Sequence, residues 1–205
     1  KLSINALSKT DIRDPWQVTD LPKKQIFEKK VAITTCPDGM KTNPKIISKI
    51  QTAGNILKNN GWSVEEVVCP NMSILAEINL KLWMAESDAI KSSIYKEEDP
   101  DAIFVFEHMT ELCGKPKLAD IMICVKERAK QIRIWSQFLK RYPLLICPVS
   151  SELPFDDQQD MKGKKEFEKI LNAQLTQLAL PVLGFPGLSL ATGIENNIPT
   201  GIQLI

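Results

Sequence analysis

The sequence holds one histidine and two adjacent serine pairs, the side chains from which nucleophilic catalysis is usually built. His108 lies in FEHMTELCG, Ser92 and Ser93 in AIKSSIYK, and Ser150 and Ser151 in CPVSSELPF. A Ser-His-Asp or Cys-His triad would have to use His108. Neither serine pair is flanked by the glycines that expose a hydroxyl beside backbone N–H donors, and there is no Gly-x-Ser-x-Gly elbow. We therefore predict a structural or surface histidine at a helix end or in a loop, and no complete active site.

The sequence also lacks motifs for binding metal ions or nucleotides. The chain has no Gly-x-Gly-x-x-Gly and no Walker A loop, and its acidic pairs lack metal-ligand partners at useful spacing. The cysteines are widely spaced, form no Cys-x-x-Cys pair and lie mostly in apolar runs; they are Cys36, Cys69, Cys113, Cys124 and Cys147. We predict free thiols in a reducing, cytoplasmic compartment, with no metal and no cofactor.

Composition bounds the class of protein. The 205 residues are 43% hydrophobic, which is enough for a substantial core, and 26 Lys and Arg balance 25 Asp and Glu. The net charge of +1 excludes the basic excess typical of nucleic-acid binding. Two basic runs, Lys23 to Lys30 and Lys162 to Lys169, include acidic residues and are expected to be solvated surfaces. No apolar stretch reaches membrane-spanning length, and no signal peptide is visible.

A strand–helix–strand unit is predicted near the start of the chain. Val31 to Thr35 is a short β-branched run, and Trp62 to Pro70 is a second strand pattern. Between them, Asn43 is a plausible N-cap, Pro44 suits the first helical position and Gly61 ends the helical spacing. The short connections predict a parallel pair of strands.

The remaining patterns predict a mixed sheet. Helical spacing dominates from Ser73 to about Tyr95 and from Lys117 to Arg141, a strand follows at Pro143 to Val149, and a polar helix covers Lys164 to Leu178. In the second span one apolar face contains Leu118, Ile121, Met122, Val125, Ala129, Ile132, Trp135 and Phe138. A closing hairpin must be antiparallel, so the fold class is α/β with a mixed β-sheet flanked by helices.

The closing hairpin is unusually rich in glycine and proline. Gly184, Gly187, Gly193 and Gly201 are four of the nine glycines in the chain, and apolar strand patterns lie between them. We predict a tightly turned, buried hairpin whose backbone closely approaches something beside it. The chain begins without methionine and stops within an apolar strand pattern, so both ends are expected to be cut and the sheet incomplete.

Four stretches, taken in order, resemble the carboxyl-terminal half of the amidase signature family of serine amidohydrolases. They are LSKTDIRDPW, the strand–helix–strand unit that ends in VEEVVCP, YPLLICPVSSELPF, and the closing GFPGLSLATGIENNIPTGIQLI. The last stretch, similar to a Gly-x-Pro-Ala, Pro-x-Gly and Pro-x-Gly-x-Gln hairpin, is the most specific of the four.

The resemblance implies an amidase that cleaves carboxamide C–N bonds through an acyl-serine intermediate. Its Ser-Ser-Lys machinery would lie upstream, so no catalytic residue is expected in this chain and the chain alone is expected to be inactive. The hairpin would pack close to that core, and the expected substrate-pocket residues are Val149, Ser150, Ser151, Gly184 and Gly187. The partners would be a small-molecule amide and the missing upstream half, with no nucleic acid; the oligomeric state is left open.

The same resemblance implies that residues 1–205 are the carboxyl-terminal portion of one amidase-like domain. Residues 1–30 would form an irregular strap anchored by Trp16. Residues 31–141 would hold the βαβ unit and a helical segment, and residues 142–205 would return to the central sheet and end in the hairpin.

Departures from the family pattern keep two alternatives open. Gly187 stands where the family usually has alanine, Ala191 where it has proline, and Val149 where it has threonine. These changes favour, as an alternative, a degenerate amidase-like domain that binds or contacts partners without catalysis. An unrelated α/β ligand-binding protein is a third reading, based only on the βαβ unit.

Overall fold

The computed structural model describes residues 11–14, 27–195 and 197–205, and its centre is a mixed five-stranded sheet. The strands are β1 (Lys30–Ile33), β2 (Ser63–Glu66), β3 (Leu145–Pro148), β4 (Leu188–Glu195) and β5 (Ile198–Leu204). Their spatial order is β2-β1-β3-β5-β4. β1 runs parallel to β2 and β3, whereas β5 is antiparallel to β3 and β4. The predicted fold class is confirmed. Trp16, the expected anchor, lies outside the described residues.

Helices and two short 3-10 turns join the strands of the described ranges. The helices are α1 (Pro44–Asn59), α2 (Ser73–Ala89), α3 (Lys91–Lys96), α4 (Pro100–Cys113), α5 (Leu118–Arg141), α6 (Lys164–Ala173) and α7 (Leu175–Leu183). The 3-10 turns are Pro37–Gly39 and Asp160–Lys162. None of the described helices is both long enough and apolar enough to cross a bilayer.

The βαβ unit β1-α1-β2 forms, although β2 ends at Glu66 and is shorter than the predicted strand from Trp62 to Pro70. The Asn43 side chain accepts a hydrogen bond from the backbone N–H of Lys45 at 3.0 Å, and Pro44 opens the helix. Gly61, at φ +78°, lies just beyond the C-cap, in a left-handed conformation that glycine adopts without strain. β2 then pairs in parallel with β1.

Helix α4 was not predicted, although a local signal for it exists. Asp99 accepts hydrogen bonds from the backbone N–H groups of Asp101 and Ala102, and Pro100 occupies the first turn. This combination starts a helix. His108 therefore lies inside α4, not at a helix end or in a loop. Its Nδ1 is 3.0 Å from the carbonyl oxygen of Phe104, and its ring stacks on Phe104.

The two faces of the sheet bury separate apolar clusters. On one face α1 packs against β1, β3 and β5 through Val31, Ile33, Ile46, Ile50, Ile146 and Ile202. On the other face α2, α5 and α7 cover the sheet, with Met72, Leu75, Trp135, Leu145, Cys147 and Ala179 at the centre. A third cluster, built from Met84, Phe106, Met109 and Phe167, joins α2, α4 and α6 away from the sheet.

The apolar face of α5 is only partly buried. Trp135 is fully buried, but Leu118 is 78% exposed and Met122 is 61% exposed. The residues of this face are therefore buried to different extents along α5. Helical spacing fixes which residues share a face, but the burial of each residue depends on the elements that pack against it, and Cys124 in the second turn is buried.

The closing hairpin also differs from the expectation that it is buried. β4 is the edge strand, and Leu188, Leu190 and Ile194 are exposed; β5 carries the buried residues, including Ile202. The close approach lies within the hairpin itself, because a Cβ at Gly201 would come 2.9 Å from the carbonyl oxygen of Leu190. This approach joins the two strands of the hairpin, so the predicted approach to a part of the protein outside the hairpin stays a prediction.

Alanine in place of Gly201 should destabilise the protein, whereas alanine in place of Gly54 should not. Gly201→Ala would place Cβ 2.9 Å from backbone, which cannot move cheaply, so we expect destabilisation of about 1–3 kcal/mol. Gly54→Ala in α1 meets Val64 at an ordinary 3.4 Å, and helix propensity should keep stability unchanged or raise it by up to about 1 kcal/mol. Urea unfolding of both variants tests this; equal losses would contradict the close approach at Gly201.

Candidate functional site

Two neighbouring depressions meet at the carboxyl end of β3. The hairpin depression, of about 520 Å³, lies between the loop after β3 and the β4–β5 hairpin and is lined by Leu153, Phe155, Leu190, Thr200 and their neighbours. The Gly187 depression, of about 320 Å³, lies between α7 and the start of β4. Both include Val149, Gln177 and Ser189. The two depressions therefore share one wall.

Val149 is held at this shared wall by its carbonyl oxygen. The buried Thr176 hydroxyl donates to that oxygen at 2.7 Å, and Gln177 Nε2 donates to it at 3.2 Å. Both donors come from the first turn of α7. The position of the loop after β3 is thus set by hydrogen bonds from this helix.

The two serines after Val149 have different surroundings. Ser150 lines the hairpin depression, and its Oγ accepts a hydrogen bond from the backbone N–H of Glu152 at 3.2 Å. Ser151 is buried and lines neither depression. Its backbone N–H donates to Ala173 at 2.8 Å, and its carbonyl oxygen accepts from the N–H of Asn43 at 2.8 Å. Ser151 therefore links α1 to α6.

Gly184 and Gly187 both line the Gly187 depression. Gly184 ends α7 in the left-handed conformation, at φ +67°, and Arg128 Nε donates to the last-turn carbonyl of Val182 at 2.6 Å. A Cβ at Gly187 would approach Gln203 Nε2 to 3.3 Å. The structure thus brings four of the five sequence-predicted pocket residues to the two depressions, and Ser151 lies behind them.

Gln203 is a polar residue of this region that sequence reasoning did not single out. It lines the Gly187 depression and is 8% exposed, and its Oε1 accepts no hydrogen bond from any described residue. An unpaired buried amide oxygen costs roughly 1–3 kcal/mol. The available signal was its place in the Pro-x-Gly-x-Gln pattern, but a pattern does not reveal that a side chain lacks a partner.

A further depression of about 540 Å³ lies beside the first turn of α2. At its edge Asp38 Oδ2 accepts hydrogen bonds from the backbone N–H groups of Met72 and Ser73 and from the Ser73 hydroxyl. Asp38 has φ +54°, an uncommon conformation for a residue other than glycine. These contacts cap α2 from a distant part of the chain.

The described residues contain no self-sufficient catalytic group. They hold no cluster of three or more His, Cys, Asp or Glu side chains suited to a metal ion. His108 contacts aromatic rings of Phe104 and Phe167 and no serine. Burial raises the pKa of the Cys69 thiol to about 12 and raises that of Cys147 as well, so neither is a thiolate nucleophile at neutral pH. What the arrangement offers is a mostly apolar wall with a few polar groups.

Sequence comparison finds relatives of the chain among hydrolases. No established family profile matches the chain. The chain is 24% identical over 219 residues to an indoleacetamide hydrolase of Bradyrhizobium diazoefficiens, a match that covers 100% of this chain and 40% of that protein. The chain therefore spans less than half of the length of this curated relative.

Solved structures share the fold. A bacterial aryl acylamidase of the amidase signature enzyme family superposes with a TM-score of 0.65 at 16% identity, covering 86% of this chain and 39% of that one. The allophanate hydrolase of Kluyveromyces lactis gives a TM-score of 0.68 at 20% identity, covering 99% and 34%. The predicted resemblance to the carboxyl-terminal half of amidase signature enzymes is confirmed by these relatives, which the chain covers only in part, and by the shared fold.

Removing the Thr176 hydroxyl should loosen the shared wall. Thr176→Val keeps the side-chain shape but removes the donor to the Val149 carbonyl, so we expect a loss of about 1–2 kcal/mol in the free energy of unfolding. Thr52→Val is the matched control, because Thr52 also donates to a backbone carbonyl, at 2.8 Å, but is exposed in α1; we expect a change within about 0.5 kcal/mol. Equal changes in chemical denaturation would contradict a structural role for the Thr176 bond.

Proposed function

We propose that this chain is the carboxyl-terminal portion of an amidase-like domain whose enzyme hydrolyses small carboxamides. Water and the amide would give a carboxylate and ammonium through an acyl-serine intermediate. The Ser-Ser-Lys machinery would come from upstream sequence, and residues 31–141 and 142–205 would supply the βαβ unit and the return to the central sheet.

The observation that carries this proposal is the match over 100% of the chain to indoleacetamide hydrolases. The lining of the hairpin depression agrees with an aryl amide, because Ile46, Leu153, Phe155 and Leu190 offer apolar surface of the kind an indole ring contacts. We therefore propose primary amides that carry an aromatic group as the substrate class.

Within the proposal, the shared wall is part of the substrate cavity. Val149, Ser150, Gly184 and Gly187 would line it, and Ser151 would hold the loop in place from behind. A cytoplasmic location belongs to the same proposal and agrees with five cysteines that form no disulfide.

The function is tested with the complete gene product and, beside it, the 205-residue chain alone. We expect the complete product to release ammonia from indole-3-acetamide and a fluorophosphonate to label one serine outside these 205 residues. The chain alone should do neither. If the complete product neither hydrolyses simple aryl and alkyl amides nor reacts with the probe, the proposal is wrong and a non-catalytic domain is favoured.

The substrate class is tested by a change in the hairpin depression. Phe155→Ala in the complete product should raise KM for indole-3-acetamide roughly tenfold, because an aromatic contact is lost, and leave KM for propionamide unchanged. Phe27→Ala, an exposed phenylalanine that lines no described depression, is the matched control and should change neither constant. A loss of equal size for both amides would contradict aryl recognition by this wall.

A further inference from the structure

A depression of larger volume than those described above lies among α2, α3, α4 and the 3-10 turn at Asp160–Lys162. This acidic groove encloses about 690 Å³. That volume is within the range of about 300–1,000 Å³ typical of small-molecule sites. None of its lining residues is shared with the hairpin depression or the Gly187 depression.

The floor of the acidic groove is apolar and adaptable. Met84, Phe106 and Met109 are buried there and form the centre of the third apolar cluster. Methionine side chains fit irregular apolar ligands because they are unbranched and polarizable. At the rim, Trp83 is 49% exposed and Ile90 is 54% exposed. The groove therefore presents apolar surface to solvent at its mouth as well as at its floor.

The rim carries charge of one sign only. Five carboxylates line the groove, and no lysine or arginine is among its described lining residues; the five are Glu97, Asp99, Asp101, Asp157 and Asp160. Of the lysines next to these residues in sequence, Lys162 lies 4.0 Å from Asp156 and Lys91 lies over the ring of Tyr95, and Lys96, which precedes Glu97, is not among the lining residues. A cleft with walls of one sign concentrates counter-ions at its mouth.

Two of the five carboxylates accept hydrogen bonds within the protein, and the other three do not. Asp99 caps α4, and Asp101 accepts a hydrogen bond from Gln158 Nε2 at 3.2 Å, which ties the loop before the 3-10 turn to α4. Glu97, Asp157 and Asp160 take part in none of the ion pairs or side-chain hydrogen bonds found among the described residues. A cation can bind these three carboxylates without breaking a hydrogen bond or an ion pair among the described residues.

We propose that the acidic groove binds an amphiphilic organic cation, an ammonium group attached to an alkyl or aryl body. The body would lie against Met84, Phe106 and Met109, and the ammonium would lie at the rim between Trp83 and the three carboxylates. Trp83 adds a favourable contact because the face of an indole ring attracts cations. The charge of the rim excludes an amphiphilic anion of the same shape.

The test is titration calorimetry of three probes against the purified complete gene product at low ionic strength. Octyltrimethylammonium carries chain and cation, octyl sulfate carries the same chain with an anion, and tetramethylammonium carries the cation alone. Only octyltrimethylammonium should bind with a stoichiometry of one, and its affinity should fall as salt is added. It should also change the fluorescence of the protein, and Trp83→Phe should remove that change.

Variants locate the site. The triple variant Glu97→Gln, Asp157→Asn, Asp160→Asn should raise Kd for octyltrimethylammonium roughly tenfold, as three partly exposed charge contacts are lost together. Ile90→Ser should weaken binding through the apolar body. Glu28→Gln, an exposed carboxylate outside the groove, is the control and should leave Kd unchanged. Circular dichroism checks that each variant is folded.

Several outcomes would overturn the proposal. Equal binding of octyl sulfate would mean that the groove is only an apolar patch, and equal binding of tetramethylammonium would mean that it is only a charged one. Absence of binding by octyltrimethylammonium, or binding that the triple variant does not weaken, would also contradict it.

Discussion

The structure depends on a three-residue segment that follows its central strand. β3 pairs with β1 on one side and β5 on the other, and residues 149–151 continue from it. The carbonyl of Val149 accepts hydrogen bonds from the start of α7, while the backbone of Ser151 joins the end of α6 to the start of α1. Because α1 covers one face of the sheet and α7 the other, this segment fixes both layers to the same strand.

The two depressions at the hairpin follow from that constraint. The hydrogen bonds to Val149 hold α7 against β3, and Gly184 ends this helix. Gly187 immediately precedes β4, and because it has no side chain the backbone passes close to Gln203. The hairpin then keeps its own strands close at Gly201. In the proposed amidase, this wall would give the substrate cavity its shape and polarity, and the groups that break bonds would come from upstream sequence.

The sequence predicted elements whose signals are local and missed features that need the assembled fold. Asn43, Pro44 and Gly61 mark the ends of α1 by side-chain and backbone preferences that act over a few residues. Helical spacing placed Leu118 and Trp135 on one face of α5, but burial depends on which elements pack there, and only Trp135 is covered by the described ones. Similarly, motif order indicated Val149 and Gly187 as site residues, whereas the unpaired oxygen of Gln203 and the distant cap from Asp38 arise from contacts between remote segments.

If residues 149–151 hold both helix layers to β3, their backbone amides should be as well protected from hydrogen exchange as those of the sheet. Hydrogen exchange measured by NMR at single residues tests this directly. The account predicts that the N–H groups of Ser151 and Asn43, which donate to Ala173 and Ser151, exchange about as slowly as the N–H of Thr34, which donates to Ile146 in β3. Exchange of Ser151 and Asn43 at the rate of an exposed loop, with Thr34 still protected, would contradict the account.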